Sequence, residues 1–153
     1  VYSKDEASQL KQAFWTAFGQ YLAPHPSAEG LKTNWINYKT GIKQLYFKMQ
    51  AGNRDAFIAI EIAHPDPEIQ ELFFDQFKQY KTILNNVLNE DWEWQLNVAN
   101  ENGKTVSRII KRLPGVSIFN KGDWPALISF FKPRIIALDE FWSDAKYGFD
   151  LFK

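Results

Sequence analysis

The chain has 153 residues, is 45% hydrophobic and 16% aromatic, and balances 18 Lys and Arg against 18 Asp and Glu. That length and apolar content suit one folded domain and exclude a disordered chain; the even charge excludes a strong overall field toward nucleic acid or an anionic membrane, leaving only local patches. The absence of cysteine excludes disulfides, thiolate metal sites and cysteine nucleophiles.

Ser3 followed by Glu6 forms a capping box, and Leu10, Phe14, Ala17, Phe18, Tyr21 and Leu22 recur at helical spacing, which predicts an amphipathic helix ending before Pro24. After the proline-containing loop "APHPSAEG", "NWINY" and "IKQLYFKMQ" read as two strands. In the second, Leu45, Phe47 and Met49 share one face while Gln44, Tyr46 and Lys48 share the other. Gly52-Asn53 predicts a type II′ hairpin turn into a third strand, placing Gln44 across from Glu61. Ile58, Ile60 and Ile62 then join the apolar face, and Phe57, Ala59 and Glu61 the opposite one.

Asp66 stands where an N-cap is wanted and Pro67 at the first helical position. Ile69, Leu72, Phe73, Phe77, Tyr80, Leu84, Val87 and Leu88 carry one apolar stripe over about six turns. "EWQLNV" alternates Trp94, Leu96 and Val98 against Glu93, Gln95 and Asn97, and Asn102-Gly103 predicts a type I′ turn into "TVSRIIKR". That turn sets Glu93 opposite Arg112 and Asn97 opposite Arg108. Asp123 is the expected cap of a last helix carrying Leu127, Phe131, Ile135, Leu138 and Trp142, kinked or broken at Pro133. The expectation is an α+β single domain over 1–153, with a largely antiparallel sheet of two hairpins plus a short strand packed against three helices. Val1 stands first rather than Met, so a fragment, or the C-terminal part of a longer chain, fits this reading equally.

Glu61, His64, Asp66 and Glu68 offer hard donors for Mg²⁺ or Mn²⁺, but a helix start explains Asp66-Pro67 without a metal. No Walker loop, GxGxxG turn, GxSxG elbow or HExxH helix occurs. No cofactor or metal is therefore expected. Glu61 is the conspicuous residue, because a charge in an apolar strand needs solvent or a partner. If both hairpins join one sheet with helices on the greasy side, Tyr46, Lys48, Glu61, Arg108 and Arg112 form a contiguous exposed platform able to bind protein or nucleic acid. The six tryptophans are expected in core or element-end packing. No signal-peptide order and no apolar run of about 18 residues is present, so a cytoplasmic protein without a membrane span is expected.

At "FWTAFGQYL", "AFIAIEI", "DWEW" and "DWPALISFFKPRI" the chain resembles a bacterial family known only as domain of unknown function 4268. The resemblance covers most of the sequence and implies a fold rather than an activity. It also implies, by association, a link with nucleic-acid processing or defence, because the domain often ends longer proteins, some similar to restriction-type nucleases. The order helix, three strands, helix, strand is similar to such nuclease cores, whose acid-x-lysine pair would fall at Glu61-Ile62-Ala63; the lysine is missing, and Lys48 on the neighbouring strand is a candidate to take its role. The leading expectation is thus a non-enzymatic accessory or interaction domain binding a protein partner, itself included, or nucleic acid through the polar sheet face. The competing one is a metal-dependent phosphodiesterase centred on Glu61.

Overall fold

The computed structural model describes residues 2–153. Helix α1 (Lys4–Leu22) starts where expected, with Ser3 Oγ accepting the Glu6 N–H at 3.1 Å, and buries Phe14, Phe18 and Leu22. Residues 23–44 then run without regular structure. The strand expected at "NWINY" does not form. Asn34 Oδ1 captures the Asn37 N–H, Trp35 donates its indole N–H to the His25 carbonyl, and Tyr38 donates its hydroxyl to Asp139. A local side-chain acceptor has replaced a strand partner. The expected short strand is reduced to a single antiparallel bridge between Lys39 and Tyr46.

Strands β1 (Leu45–Ala51), β2 (Asp55–Ile62), β3 (Glu93–Ala99) and β4 (Thr105–Pro114) form one antiparallel sheet in the order β1-β2-β4-β3. The architecture is α+β, and its sheet is built from two hairpins. The first hairpin pairs Tyr46 with Glu61, two residues away from the register that a Gly52-Asn53 turn imposes. Gly52 keeps out of the positive-φ region; its N–H donates to the Asp55 carbonyl and its own carbonyl accepts from Ile118. The loop after β4 thus draws the turn one residue onward, to Asn53-Arg54. A two-residue slip preserves which face each side chain occupies.

The second hairpin departs further. Its connection is the three residues Glu101, Asn102 and Gly103, with Gly103 at φ 76° and the Gly103 N–H donating to the Asn100 carbonyl. This is the longer loop in which a left-handed glycine closes the turn. A bulge then interrupts the ladder between Gln95 and Val98, where Asn97 adopts φ 50°. Glu93 consequently pairs with Ile110, and Gln95 with Arg108, rather than with the expected partners. The bulge also moves Val98 across the sheet, onto the face of its partner Val106.

Helix α2 (Pro67–Gln79) is capped by Asp66, which accepts the Glu68 N–H at 2.9 Å. The six-turn helix expected here is two helices, because Tyr80 at ψ 10° ends α2 before α3 (Lys81–Leu88) begins. Tyr80 stacks on Phe149 and sets its ring edgewise to Phe141, and the break aims α3 along the last helix. Leu72 of the anticipated stripe is 55% exposed, whereas Phe74 is buried against the sheet. Of the kink or break expected at Pro133, no break occurs: helix α4 (Trp124–Ala145) continues through it. The carbonyl that loses its helical donor belongs to exposed Ser129, within reach of water. Asp123 does not cap α4 with its side chain; its carboxylate accepts the Ser117 N–H at 2.9 Å.

Ile58, Ile60, Ile62 and Ile109 face Phe73, Phe77, Phe131, Leu138 and Trp142 in the main core. Trp35, Trp92 and Trp142 are buried, and Trp15, Trp94 and Trp124 pack against the same core. Phe57, Ala59 and Ile110 form a second cluster on the other side of the sheet, composed of strand residues alone. The helices thus cover one face and leave the other to its own side chains. Among the described residues, no helix is long and apolar enough to cross a membrane.

Candidate binding face

The register assembles the uncovered face in rows. Tyr46, Glu61, Arg108 and Gln95 are successive cross-strand partners over all four strands. The next row runs Lys48, Ala59, Ile110 and Glu93, and the one beyond it Gln50, Phe57 and Arg112. All five residues singled out in the sequence therefore lie on one side of the sheet. The two-residue slip at the first hairpin turn brings Tyr46, rather than Gln44, beside Glu61.

Exposure divides the five. Tyr46 is 48% exposed and Arg112 is also exposed, but Glu61 and Arg108 are only 6% and 5% exposed. The expected open platform is a rim around a closed centre. Cationic side chains supply the cover: Lys48 Nζ, Arg108 Cζ and Arg112 Cζ lie 5.9, 6.0 and 5.8 Å from the centre of the Phe57 ring. Their aliphatic stems screen the apolar cluster while their charges meet the negative face of the ring.

Glu101, on the hairpin loop, organises this layer. Its Oε1 accepts from Arg108 Nη1 at 2.8 Å and its Oε2 lies 3.3 Å from Lys48 Nζ. Arg108 also donates its Nε–H to Gln95 Oε1 at 2.6 Å. The guanidinium is satisfied sideways, so Arg108 makes no ion pair with Glu61 although the two are register partners. Glu61 is left with Lys48, whose Nζ is 3.6 Å from Oε1, too far for a good hydrogen bond; that oxygen is buried without a hydrogen-bond partner. Burial pushes the Glu61 carboxyl above the usual range; nearby Lys48 opposes the rise and Glu101 adds to it. Glu101 moves the other way: although burial raises it, hydrogen bonds from Arg108 and its own backbone hold it low.

Glu101, Gln95 and Phe57 were not selected from the sequence. The uninterrupted alternation read from the sequence also puts Glu101 on this side, but no local signal marks a loop glutamate as the partner of Arg108 and Lys48. The hard donors Glu61, His64, Asp66 and Glu68 are not brought together. Asp66 is committed to its helix cap, His64 Nδ1 accepts the Asp66 N–H at 3.0 Å, and Glu68 is exposed in the first turn of α2. Among the described residues no three His, Asp or Glu side chains are grouped to hold a metal ion. Lys48 stands between the Glu61 and Glu101 carboxylates at the centre of the face, neutralising the donors a divalent cation would need.

A family model described as a domain of unknown function (DUF4268) matches residues 10–146. No curated protein and no solved structure matches the chain.

Proposed function

The chain belongs to the family described as domain of unknown function DUF4268, and from that membership, which specifies a fold without an activity, we propose a non-catalytic binding module that receives a protein partner on the uncovered sheet face. The observation that carries the reading is the ring of Lys48, Arg108 and Arg112 over Phe57 on a face that no helix covers. Arginine and tyrosine at the rim of an apolar patch are the residue types that anchor protein interfaces. Charge balance favours protein over a phosphate backbone. Glu101 already occupies Arg108 and Lys48, and Glu61 and Glu93 lie on the same side, so little net positive charge remains to release counterions. Arg112, exposed and without an ion pair among the described residues, is a cation free to engage a partner.

The test places a photo-crosslinking amino acid at Tyr46 and, as control, at exposed Gln9 on α1. Both proteins are exposed to lysate of the native cell with and without Arg112→Glu. The reading expects a defined adduct from position 46 only, reduced at least tenfold by the charge reversal. Equal adducts from both positions, or no effect of Arg112→Glu, refute it. Incubation with DNA or RNA and Mg²⁺ or Mn²⁺ completes the test: cleavage that disappears in Glu61→Gln would establish the phosphodiesterase reading instead.

A further inference from the structure

At the β1 edge of the face a cleft of about 490 Å³ opens between the residue 36–39 segment and the strand. Asn37, Tyr38 and Lys39 form one wall, Tyr46 and Lys48 the other, and Glu61 also lines it. Tyr38 is fixed in place, its hydroxyl bonded to Asp139 at 2.6 Å and its ring stacked on Phe47. Tyr46 is half exposed at the mouth. Glu61 carries the molecule's one buried side-chain oxygen without a hydrogen-bond partner among the described residues. Such an orphan destabilises the site, a penalty that a bound donor can recover.

The surrounding charges define what fits. Lys48, Arg108 and Lys39 outnumber the Glu61 and Glu101 carboxylates around the cleft, so an incoming cation meets a small net positive charge. An anion meets the Glu61 carboxylate itself. A neutral group that donates to Glu61 and accepts from Lys48 satisfies both, and a flat one also stacks on Tyr46. A primary carboxamide has these properties: its N–H₂ serves Oε1 and its carbonyl serves the ammonium.

We infer that this cleft receives the side-chain carboxamide of an asparagine or glutamine presented by the protein partner, held between Glu61 Oε1, which the side chains above it must first uncover, Lys48 Nζ and the Tyr46 ring. The inference rests on the protein-partner reading of the face and adds a specificity-determining contact to it.

The experiment is an NMR titration of the ¹⁵N-labelled chain with N-acetyl-glutamine methylamide, alongside the norleucine, arginine and glutamate analogues. Shifts confined to residues 37–39, Tyr46, Lys48 and Glu61 are expected with glutamine, and none of that pattern with the other three. Glu61→Gln should weaken the response about tenfold, the factor that loss of one hydrogen bond to a charged group produces. Lys48→Met, which keeps the carboxylate, should weaken it as well. No cleft-confined shifts, an equal response to norleucine, or unchanged affinity in both variants overturns the inference. The two proposals fail separately: a silent titration beside an Arg112-dependent adduct removes the carboxamide contact and leaves the binding face.

Discussion

Removing the Glu101 side chain tests whether the charged layer is held by that loop residue. In Glu101→Ala, Arg108 Nη1 loses its 2.8 Å carboxylate partner and Lys48 its 3.3 Å partner, while the Gln95 bond at 2.6 Å remains. Arg108 is only 5% exposed, so its released charge is poorly served by water. Glu101 is exposed, so truncation opens no cavity and costs little packing. A buried pair broken on one side costs about 3–5 kcal/mol; the exposed carboxylate and the surviving Gln95 bond reduce this to about 2 kcal/mol, the range of one charge-assisted hydrogen bond. For a chain of this size that lowers Tm by roughly 4–8 °C. Thermal melts and urea unfolding of Glu101→Ala, Arg108→Met and the double variant should give a coupling of about 1–2 kcal/mol with unchanged m-values. Because Arg108 is buried, high salt should erase only a small part of the effect. A melt within one degree of the parent, or additive single variants, would refute the proposed role of Glu101.

Two further outcomes follow from other parts of the structure. An added Cβ at Gly148 would lie 1.9 Å from the Tyr80 hydroxyl oxygen and 2.8 Å from its ring carbon, so Gly148→Ala should cost about 1–3 kcal/mol by overpacking, and Tyr80→Phe in that background should return part of it in denaturant melts. Glu61→Gln should stabilise the chain at neutral pH: burial raises the folded-state pKa, so the folded state holds a proton that the unfolded state has released. The parent therefore loses stability relative to the variant as pH climbs from the ordinary carboxylate range through the raised pKa, and the gap is greatest above it. Urea titrations across that interval check the sign; a variant less stable than the parent above the window would contradict it.

Much of the fold could be read from local signals because those signals act within a few residues. Ser3 and Asp66 cap their helices, and the isoleucines of β2 alternate with Phe57, Ala59 and Glu61 as a period of two requires. The errors arose where distant groups intervene. Ile118 takes the Gly52 carbonyl and displaces a turn that Gly52-Asn53 favours in isolation. Ser107 Oγ accepts the Asn97 N–H, supporting the bulge that breaks the alternation of β3, and Gly148 leaves the space that Tyr80 occupies at the helix break. At the face, pleat and order were enough to gather Tyr46, Lys48, Glu61, Arg108 and Arg112. Their division into rim and sealed centre was not legible, since it depends on long side chains folding over Phe57 and on a loop carboxylate pairing with both Arg108 and Lys48.

Strand β2 is buried from Ala56 to Ile62 although helices lie on only one side of it. It is hydrogen-bonded along both edges, to β1 and to β4. With both edges paired, its amides, like those of the other central strand β4, should exchange only through large-scale opening of the sheet. In the cationic canopy above it Arg108 is held by Glu101 and Gln95, whereas exposed Arg112 can change rotamer without disturbing a single ladder bond. Whatever settles on that side therefore meets an adaptable skin stretched over an unyielding spine, and recognition there reorganises side chains while the backbone keeps its shape.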